Sequence, residues 1–300
     1  MDVGSRGWIL FLAMSIIWGI PYLMIKVAVE GVSVPVLVLA RTAVGAAVLL
    51  PLAFSRQTST IVRNHWKALL GFAFFEIIAA WWLLSDAERH LTSSMTGLLI
   101  AAAPIIAAFL DRVTGGERLG VKRILGLTIG ISGVAVLAGP NIGGNTWPVI
   151  EVLLVATCYA IAPLIAARYL ADVPTLPMTA VCLGFAALVY AAPAAATWPD
   201  QMPSTRVLLA LGGLAVICTA IAFIVFFALI REIGAARALV FTYINPAVAL
   251  AAGVIVLNEP LTAWNVAALA LILAGCILAT RRPKEQAPDI SSEPTTVAPR

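Results

Sequence analysis

Charged residues are scarce in this chain. Asp, Glu, Lys and Arg together make up 11% of its 300 residues, whereas soluble domains carry about 25%. Apolar residues reach 61%, and the mean hydropathy is +1.00. This composition excludes an ordinary water-soluble domain, and the net charge of +4 forms no basic stripe that would bind nucleic acid. The chain is therefore expected to be an integral membrane protein whose partner is the lipid bilayer.

The residues that most often perform catalysis or bind metals are also scarce. The two histidines, His65 and His90, fall in predicted loops on opposite sides of the membrane. No H-E-x-x-H, Walker A or dinucleotide-binding motif is present. The four cysteines lie inside apolar runs without C-x-x-C spacing, which indicates small core residues. We therefore expect no enzyme, no metal and no cofactor; without an ATP-binding domain, any active transport must be secondary.

Long apolar runs are abundant. Ten segments approach the ~20 residues that cross the hydrocarbon core as a helix. They cover residues 7 to 28, 34 to 54, 67 to 85, 92 to 111, 121 to 139, 148 to 167, 177 to 197, 206 to 229, 235 to 257 and 262 to 280. Helices are expected because lipid cannot satisfy backbone hydrogen bonds and the alternating pattern of barrel strands is absent. We predict an all-α integral membrane fold of ten transmembrane helices, followed by a disordered polar tail at 283–300.

Lysine and arginine indicate the orientation. With an even number of spans, both termini lie on one side of the membrane. Placing them in the cytoplasm leaves only Lys26, Arg89 and Arg206 near the outer face, and fifteen basic residues inside. The pattern predicts a multi-pass protein of a bacterial-type inner membrane with both termini in the cytoplasm.

A repeat with an offset of 142 residues relates the two halves of the chain. Four prolines of the first half have proline partners: Pro21 with Pro163, Pro35 with Pro177, Pro51 with Pro193 and Pro104 with Pro246. Because five spans is an odd number, the second repeat, residues 148–281, is expected to lie inverted relative to the first, residues 7–139. Inverted repeats can open a central site to each side of the membrane in turn. The same offset pairs Glu117 with Glu259, and each is expected to cap the helix that follows it.

Two long stretches, residues 93–137 and 236–278, share a proline-containing helix, a short loop with glutamate and a final helix rich in small residues. They resemble the paired signatures of EamA domains in the drug/metabolite transporter superfamily, and WGIPYLMIK, residues 18–26, resembles the opening of such a domain. The resemblance covers residues 7–281 and implies a ten-helix exporter of metabolites or amino acids with a central cavity. The pattern is also similar to bacterial aromatic amino-acid exporters of the YddG type.

Two charged residues lie within the predicted spans. Glu76 is roughly 14 Å deep at ~1.5 Å per residue, where a charge costs about 2.5–3.5 kcal/mol. Arg41, in the second span, is the available partner. Either the two neutralise each other and lock their helices together, or Glu76 binds a substrate ammonium or a coupling proton.

Aromatic and polar side chains share helix faces at similar depth. Trp18 lies one turn from Tyr22, and Tyr159 one turn from Pro163. A further group comprises Thr242, Tyr243 and Asn245. We expect these residues to line a substrate cavity; the alternative is ordinary packing.

Four of the repeated prolines lie inside predicted spans, where each removes a backbone hydrogen bond. They are Pro21, Pro104, Pro163 and Pro246. They act as hinges or kinks at the cavity, or they only shape the bundle.

These observations together predict a secondary transporter that exports small metabolites by alternating access, with amino acids, aromatic ones included, as the expected substrates. Efflux of drugs or other cationic compounds and uncoupled facilitation are the alternatives. A membrane enzyme is the rival class, which the absent motifs disfavour.

Overall fold

The computed structural model describes residues 4–53, 55–113, 120–138 and 146–280, and every regular element within these ranges is helical. The helices of the first half are α1 (Ser5–Ile17), α2 (Pro21–Ala28), α3 (Val34–Ala53), α4 (Arg56–Ala73), α5 (Ala79–Ala87), α6 (Ser93–Ile100), α7 (Ala103–Val113) and α8 (Val121–Ala138). Those of the second half are α9 (Trp147–Tyr169), α10 (Thr175–Ala196), α11 (Thr205–Ala215), α12 (Ala222–Ile233), α13 (Ala235–Ala238), α14 (Asn245–Leu257) and α15 (Ala263–Thr280). The predicted tail and Glu117 lie outside the described residues.

Seven helical stretches in the described ranges are long and apolar enough to cross a membrane. They are Ser5–Ala28, Val34–Ala53, Thr58–Ala87, Ser93–Leu110, Trp147–Tyr169, Thr175–Ala196 and Thr205–Ile233. Three shorter apolar helices accompany them: Ile124–Leu137, Asn245–Leu257 and Ala263–Leu278. The all-helical membrane fold is confirmed, whereas the count of ten spans stays a prediction.

The fourth helix begins earlier than the hydrophobic pattern indicated. Ser55 caps α4, with its hydroxyl oxygen accepting a hydrogen bond from the Thr58 backbone N–H at 3.2 Å. His65 therefore lies within a helix, and its expected position in a loop is wrong. The polar segment that follows the cap, before the predicted start at residue 67, therefore belongs to the same helix as the apolar part.

Three long stretches are interrupted near a proline. The chain leaves helical geometry between α1 and α2, and Pro21 begins α2, where its missing N–H costs little. A similar break at Ala101 and Ala102 precedes α7, which contains Pro104. A 3₁₀ turn, Leu239–Tyr243, precedes α14, which contains Pro246 near its start.

Pro163 behaves differently from its repeat partner. It lies inside α9, which continues without interruption from Trp147 to Tyr169. The predicted hinge or kink at Pro163 stays a prediction, but the helix is not interrupted there as the chain is before Pro21. Helices on several sides, α4, α5, α6 and α7, pack against α9 and hold it together despite the lost hydrogen bond.

The offset of 142 residues recurs in the element boundaries. It carries both ends of α8 onto the ends of α15. It also relates two π-helical turns, Phe74–Ile78 between α4 and α5 and Val216–Ile221 between α11 and α12. Local distortions of the helices thus repeat at matching positions, apart from the difference at Pro163.

The two halves pack against each other along paired helices. Helix α3 lies along α10, and α8 lies along α15. Glycine permits the second contact, because a Cβ atom on Gly275 would clash with the backbone of Gly130. Many large apolar side chains, such as Leu188 and Ile255, stay exposed on the outside of the bundle, as expected for a surface in contact with lipid.

The bundle has two polar ends. We call the first the Glu259 end; it carries Lys26, Glu88 and Glu259. We call the second the Arg231 end; it carries Arg231 in the last turn of α12 and Glu232, whose carboxylate lies 3.9 Å from Arg6.

Candidate functional site

A single central cavity brings together the residues singled out from the sequence. Its volume is about 670 Å³, within the range of about 300–1,000 Å³ typical of small-molecule sites. All the predicted site, hinge and ion-pair residues line it: Trp18, Pro21, Tyr22, Arg41, Glu76, Pro104, Tyr159, Pro163, Thr242, Tyr243, Asn245 and Pro246. Both halves of the chain therefore contribute to one site.

The two π-helical turns place chemically different residues at matching positions of the cavity wall. Glu76 lies in the first turn and Cys218 in the second, and both line the cavity. A π turn inserts an extra residue into a helix and is frequent at functional sites because it redirects the side chains around it. All four cysteines are free and buried, and two of them, Cys218 and Cys276, face this cavity.

Arg41 is fixed to one wall of the cavity. It is 5% exposed, and its guanidinium carbon lies 3.8 Å from the centroid of the Trp81 ring, a cation–π contact. Its Nε–H donates to the Thr219 hydroxyl oxygen at 3.3 Å. A guanidinium has four further N–H groups on its two terminal nitrogens.

Arg41 and Glu76 do not form the buried ion pair that the sequence offered as one alternative. Both belong to the described part of the chain, and the ion pairs found there join Arg6 to Glu232 and Arg89 to Asp86. The guanidinium instead contacts the Trp81 ring and the Thr219 hydroxyl. Tyr159 lies close enough to interact electrostatically with both charged groups. The cavity therefore holds a guanidinium and a carboxyl group that do not form an ion pair with each other.

The other candidates divide into packing and cavity roles. Trp18 packs against Phe223, Phe226 and Phe241, with ring centroids 5.7, 5.0 and 5.5 Å away, while also lining the cavity. Tyr22 is buried at the cavity wall.

Two polar residues of the ninth predicted span use their side chains locally. Thr242 donates to the Leu239 carbonyl oxygen at 2.7 Å. The Asn245 amide, in the orientation that satisfies its neighbours, donates to the carbonyl oxygens of Ser15 and Phe241 at 3.1 and 3.2 Å. These hydrogen bonds stabilise the break before α14.

The Glu259 end holds a polar network that the sequence pattern did not reveal. The carboxylate of Glu259 accepts hydrogen bonds from the backbone N–H groups of Ser93 and Ser94 at 2.7 and 2.9 Å, and from both serine hydroxyls. It therefore caps α6, in the other half of the chain. The expectation that Glu259 caps the helix following it is wrong, because α6 offers two N–H groups and two hydroxyls at once. The run Thr92–Ser93–Ser94 was the available signal.

Lys26 belongs to the same end. Its ammonium donates to the backbone carbonyl oxygens of Glu88 and Leu91, both at 2.7 Å, just beyond α5. A cation at a helix C-terminus satisfies carbonyl groups that have no partner within the helix. Lys26 thus joins α2 to the end of α5.

The cavity is closed toward the Glu259 end. Helices α6 and α14 pack together there, with Gly97 against Ala249 and Gly253 against the two capping serines. At the other end, Ala103, Pro104 and Ala107 of α7 line the cavity, as do Leu239, Val240 and Thr242 of the 3₁₀ turn. The lining thus extends toward the Arg231 end.

An all-helical bundle of this composition around one central cavity defines a multi-pass membrane transporter. The chain belongs to the EamA-like transporter family, whose pattern matches residues 5–139 and again residues 146–281. Membership implies a small-molecule substrate and a lipid environment. The resemblance to the drug/metabolite transporter superfamily is thereby confirmed.

Curated relatives match along nearly the whole chain. The uncharacterized inner membrane transporter YedA of Escherichia coli (strain K12) is 28% identical over 279 residues, covering 89% of this chain and 88% of the relative. The uncharacterized transporter YvbV of Bacillus subtilis is 24% identical over 290 residues, covering 94% of each chain. A probable terminal-alkyne amino-acid exporter of Streptantibioticus cattleyicolor is 26% identical over 306 residues, covering 94% of this chain and 95% of the relative.

A solved crystal structure has the same fold. It superposes with a TM-score of 0.66, covering 92% of this chain and 97% of that chain at 20% sequence identity. At this identity the likeness shows the fold alone.

Proposed function

We propose that this protein exports a small zwitterionic metabolite, such as an amino acid, across an inner membrane. The observation that supports this most directly is the presence of Arg41 and Glu76 on one cavity without an ion pair between them. An unpaired charge in a membrane interior is costly, and a ligand with a carboxylate and an ammonium offers a partner to each. Charge-assisted hydrogen bonds from the guanidinium suit a carboxylate.

The same cavity disfavours substrates that carry charge of only one sign. Arginine stays protonated in proteins, so a purely cationic drug would meet a fixed positive charge beside Trp81. A purely anionic metabolite would offer no cationic partner to the Glu76 carboxyl group in the cavity wall. The aromatic rings of Tyr22, Trp81 and Tyr159 at the wall favour a zwitterion with an apolar or aromatic side chain. The Streptantibioticus relative is named as a probable terminal-alkyne amino-acid exporter, which supports a zwitterionic substrate.

Alternating access is the proposed mechanism. We take residues 7–139 and 148–281 as two inverted halves of five spans each, a division supported by the repeated element boundaries and the two family matches. The distribution of basic residues supports an orientation with both termini and the Arg231 end in the cytoplasm. In this arrangement the described conformation faces inward. Export then requires α6 and α14 to separate at the Glu259 end while α7 and the 3₁₀ turn close together.

Counterflow in sealed proteoliposomes tests the proposed function. Vesicles loaded with one unlabelled compound are offered labelled amino acids, polyamines and cationic drugs. We expect exchange of zwitterionic amino acids, with aromatic ones preferred. Exchange of the cationic compounds without exchange of any amino acid would contradict the proposal.

A further inference from the structure

Glu88 is a fully buried carboxyl group outside the cavity. It follows the last turn of α5 and has 0% of its surface exposed. Within the described residues, neither carboxylate oxygen has a hydrogen-bond partner. A carboxyl group sealed from water without hydrogen bonds is costly when ionised and far less costly when protonated. The site therefore favours a bound proton while the Glu259 end is closed.

The groups around Glu88 connect it both to the closure and to the cavity. Glu88 interacts electrostatically with Lys26 of α2 and with Glu259, and the side chain of Thr96 in α6 lies near it. Tyr22, which lines the cavity, also interacts with it. Glu151 of α9, one of the helices packed on α5, interacts with Asp86 instead. Glu88 thus interacts with one residue of the cavity wall, Tyr22, and with two residues at the Glu259 end, Thr96 and Glu259.

Lys26 does not neutralise Glu88 by an ion pair. Its ammonium is engaged by the two backbone carbonyl oxygens at 2.7 Å. Glu88 lies beyond the span that ends at Ala87, and burial raises its pKa well above the ordinary value, while Lys26 lowers it. A raised pKa in the closed conformation means that protonation stabilises closure, and that this stabilisation is lost as the pH rises through that value.

We propose that Glu88 is the binding site for a coupling proton, so that the transporter exchanges one external proton for one exported substrate molecule. This inference rests on the proposed function. When the Glu259 end is open, the Glu88 carboxylate takes a proton from the outer medium and becomes a neutral carboxylic acid. The neutral acid allows α6 and α14 to close. In the inward-facing conformation the proton leaves past Tyr22 into the cavity, which restores the carboxylate; because the buried carboxylate is costly, the Glu259 end then opens with substrate bound.

The first experiment measures substrate and proton movement together. Proteoliposomes loaded with phenylalanine and a pH-sensitive dye are diluted into substrate-free medium. In the wild type, substrate efflux should drive proton entry, and exchange should depend on external pH. Glu88→Gln, which mimics the protonated acid, should lose proton entry and the pH dependence. Glu151→Gln, which removes a buried carboxyl group facing Asp86, should keep both. Substrate efflux without proton entry in the wild type, or unchanged proton entry in Glu88→Gln, would overturn the proposal.

A second measurement uses the unmodified protein and so does not depend on how the variant folds. A hydrophobic carbodiimide reacts with protonated carboxyl groups in apolar surroundings, and peptide mapping identifies the modified residue. We expect an adduct at Glu88 at neutral pH that disappears at alkaline pH. No adduct at Glu88 at any pH would overturn the proton site. Failure of the wild type to exchange any amino acid would instead overturn the proposed function, and the labelling result would still decide the proton site.

Discussion

At the scale of single residues, two charged side-chain types in the cavity, a guanidinium and a carboxyl group, are the basis of the proposed substrate class. The guanidinium of Arg41 is oriented by a ring on one side and a hydroxyl on the other, Trp81 and Thr219. A lysine at this position would keep the charge but lose the planar group that stacks on tryptophan and pairs with a carboxylate through two N–H groups.

Arg41→Lys should therefore weaken substrate binding. Loss of charge-assisted hydrogen bonds costs about 1.5–3 kcal/mol, roughly a ten- to hundred-fold rise in the half-saturating concentration of an amino acid. Arg206→Lys, at an exposed position near the start of α11, is the matched control and should behave as the wild type. Equal saturation curves for Arg41→Lys and the wild type would count against a carboxylate site at Arg41.

Glu76→Gln tests the opposite charge. The amide keeps the shape of the side chain but cannot attract a substrate ammonium, so transport in sealed proteoliposomes should fall while folding stays intact. Glu30→Gln, at an exposed position after α2, controls for loss of an acid elsewhere. A wild-type rate with a wild-type pH profile for Glu76→Gln would exclude this residue as a site for a substrate ammonium or a coupling proton.

The sequence predicted that Arg41 and Glu76 face the interior of the bundle, but it left open whether they form an ion pair. The depth of Glu76 and Arg41 in apolar runs was enough to place both toward the interior, since lipid excludes unpaired charges. Whether they meet depends on χ angles and on neighbours far apart in the chain, Trp81 and Thr219, which compete for the guanidinium. Local pattern carries no information on that competition.

At the scale of helices, the capping of α6 by Glu259 holds the closed end together. One carboxylate accepts hydrogen bonds from two backbone N–H groups and two hydroxyls of the other half of the chain. Separation of α6 from α14 must break these bonds or move the loop of Glu259 with α6.

Glu259→Ala should destabilise the closed conformation. Buried donors left without an acceptor cost about 1–3 kcal/mol, so the amide hydrogens of Ser93 and Ser94 should exchange faster and the unfolding temperature in detergent should fall. Glu232→Ala removes a more exposed carboxylate at the other end, whose pair with Arg6 is worth about 1 kcal/mol or less. Unchanged exchange at Ser93 and Ser94 in Glu259→Ala would show that the cap does not hold this end closed.

The paired prolines give a second prediction for helices. Pro163 lies in the interior of a continuous helix, whereas Pro21 begins one. Pro163→Ala should restore a backbone hydrogen bond and raise stability by up to about 3 kcal/mol, while Pro21→Ala should change it little. Thermal unfolding of both variants measures the difference; a lower stability for Pro163→Ala would indicate that the proline fits a bend that alanine cannot keep.

The offset in the sequence anticipated where helices are distorted but not how strongly. It matched α8 to α15 and related the two π-helical turns. It could not distinguish Pro21 from Pro163, because the difference arises from the helices packed around α9. Repeated residues share local chemistry, and their tertiary surroundings differ.

At the scale of the whole molecule, the central question is which end of the cavity is closed. The proposed inverted halves would allow two equivalent arrangements, so no sequence pattern selects one. The structure closes the Glu259 end through the contact of α6 with α14 and the polar network beside it. In the proposed transport cycle, the cavity binds the substrate, the contact of α6 with α14 closes one end, and the buried Glu88 carboxyl group binds the proton.

The most direct test of the proposed zwitterion site compares three ligands that share the phenylpropionyl skeleton but carry different charged groups. Wild-type proteoliposomes are loaded with unlabelled phenylalanine, its methyl ester or 3-phenylpropionate. The counterflow of labelled phenylalanine into each set of vesicles is then measured. The ester lacks the carboxylate that Arg41 would bind, and phenylpropionate lacks the ammonium that Glu76 would bind. We expect that phenylalanine supports exchange and that neither of the two analogues with a single charged group does. Exchange supported equally well by the ester or by phenylpropionate would contradict it.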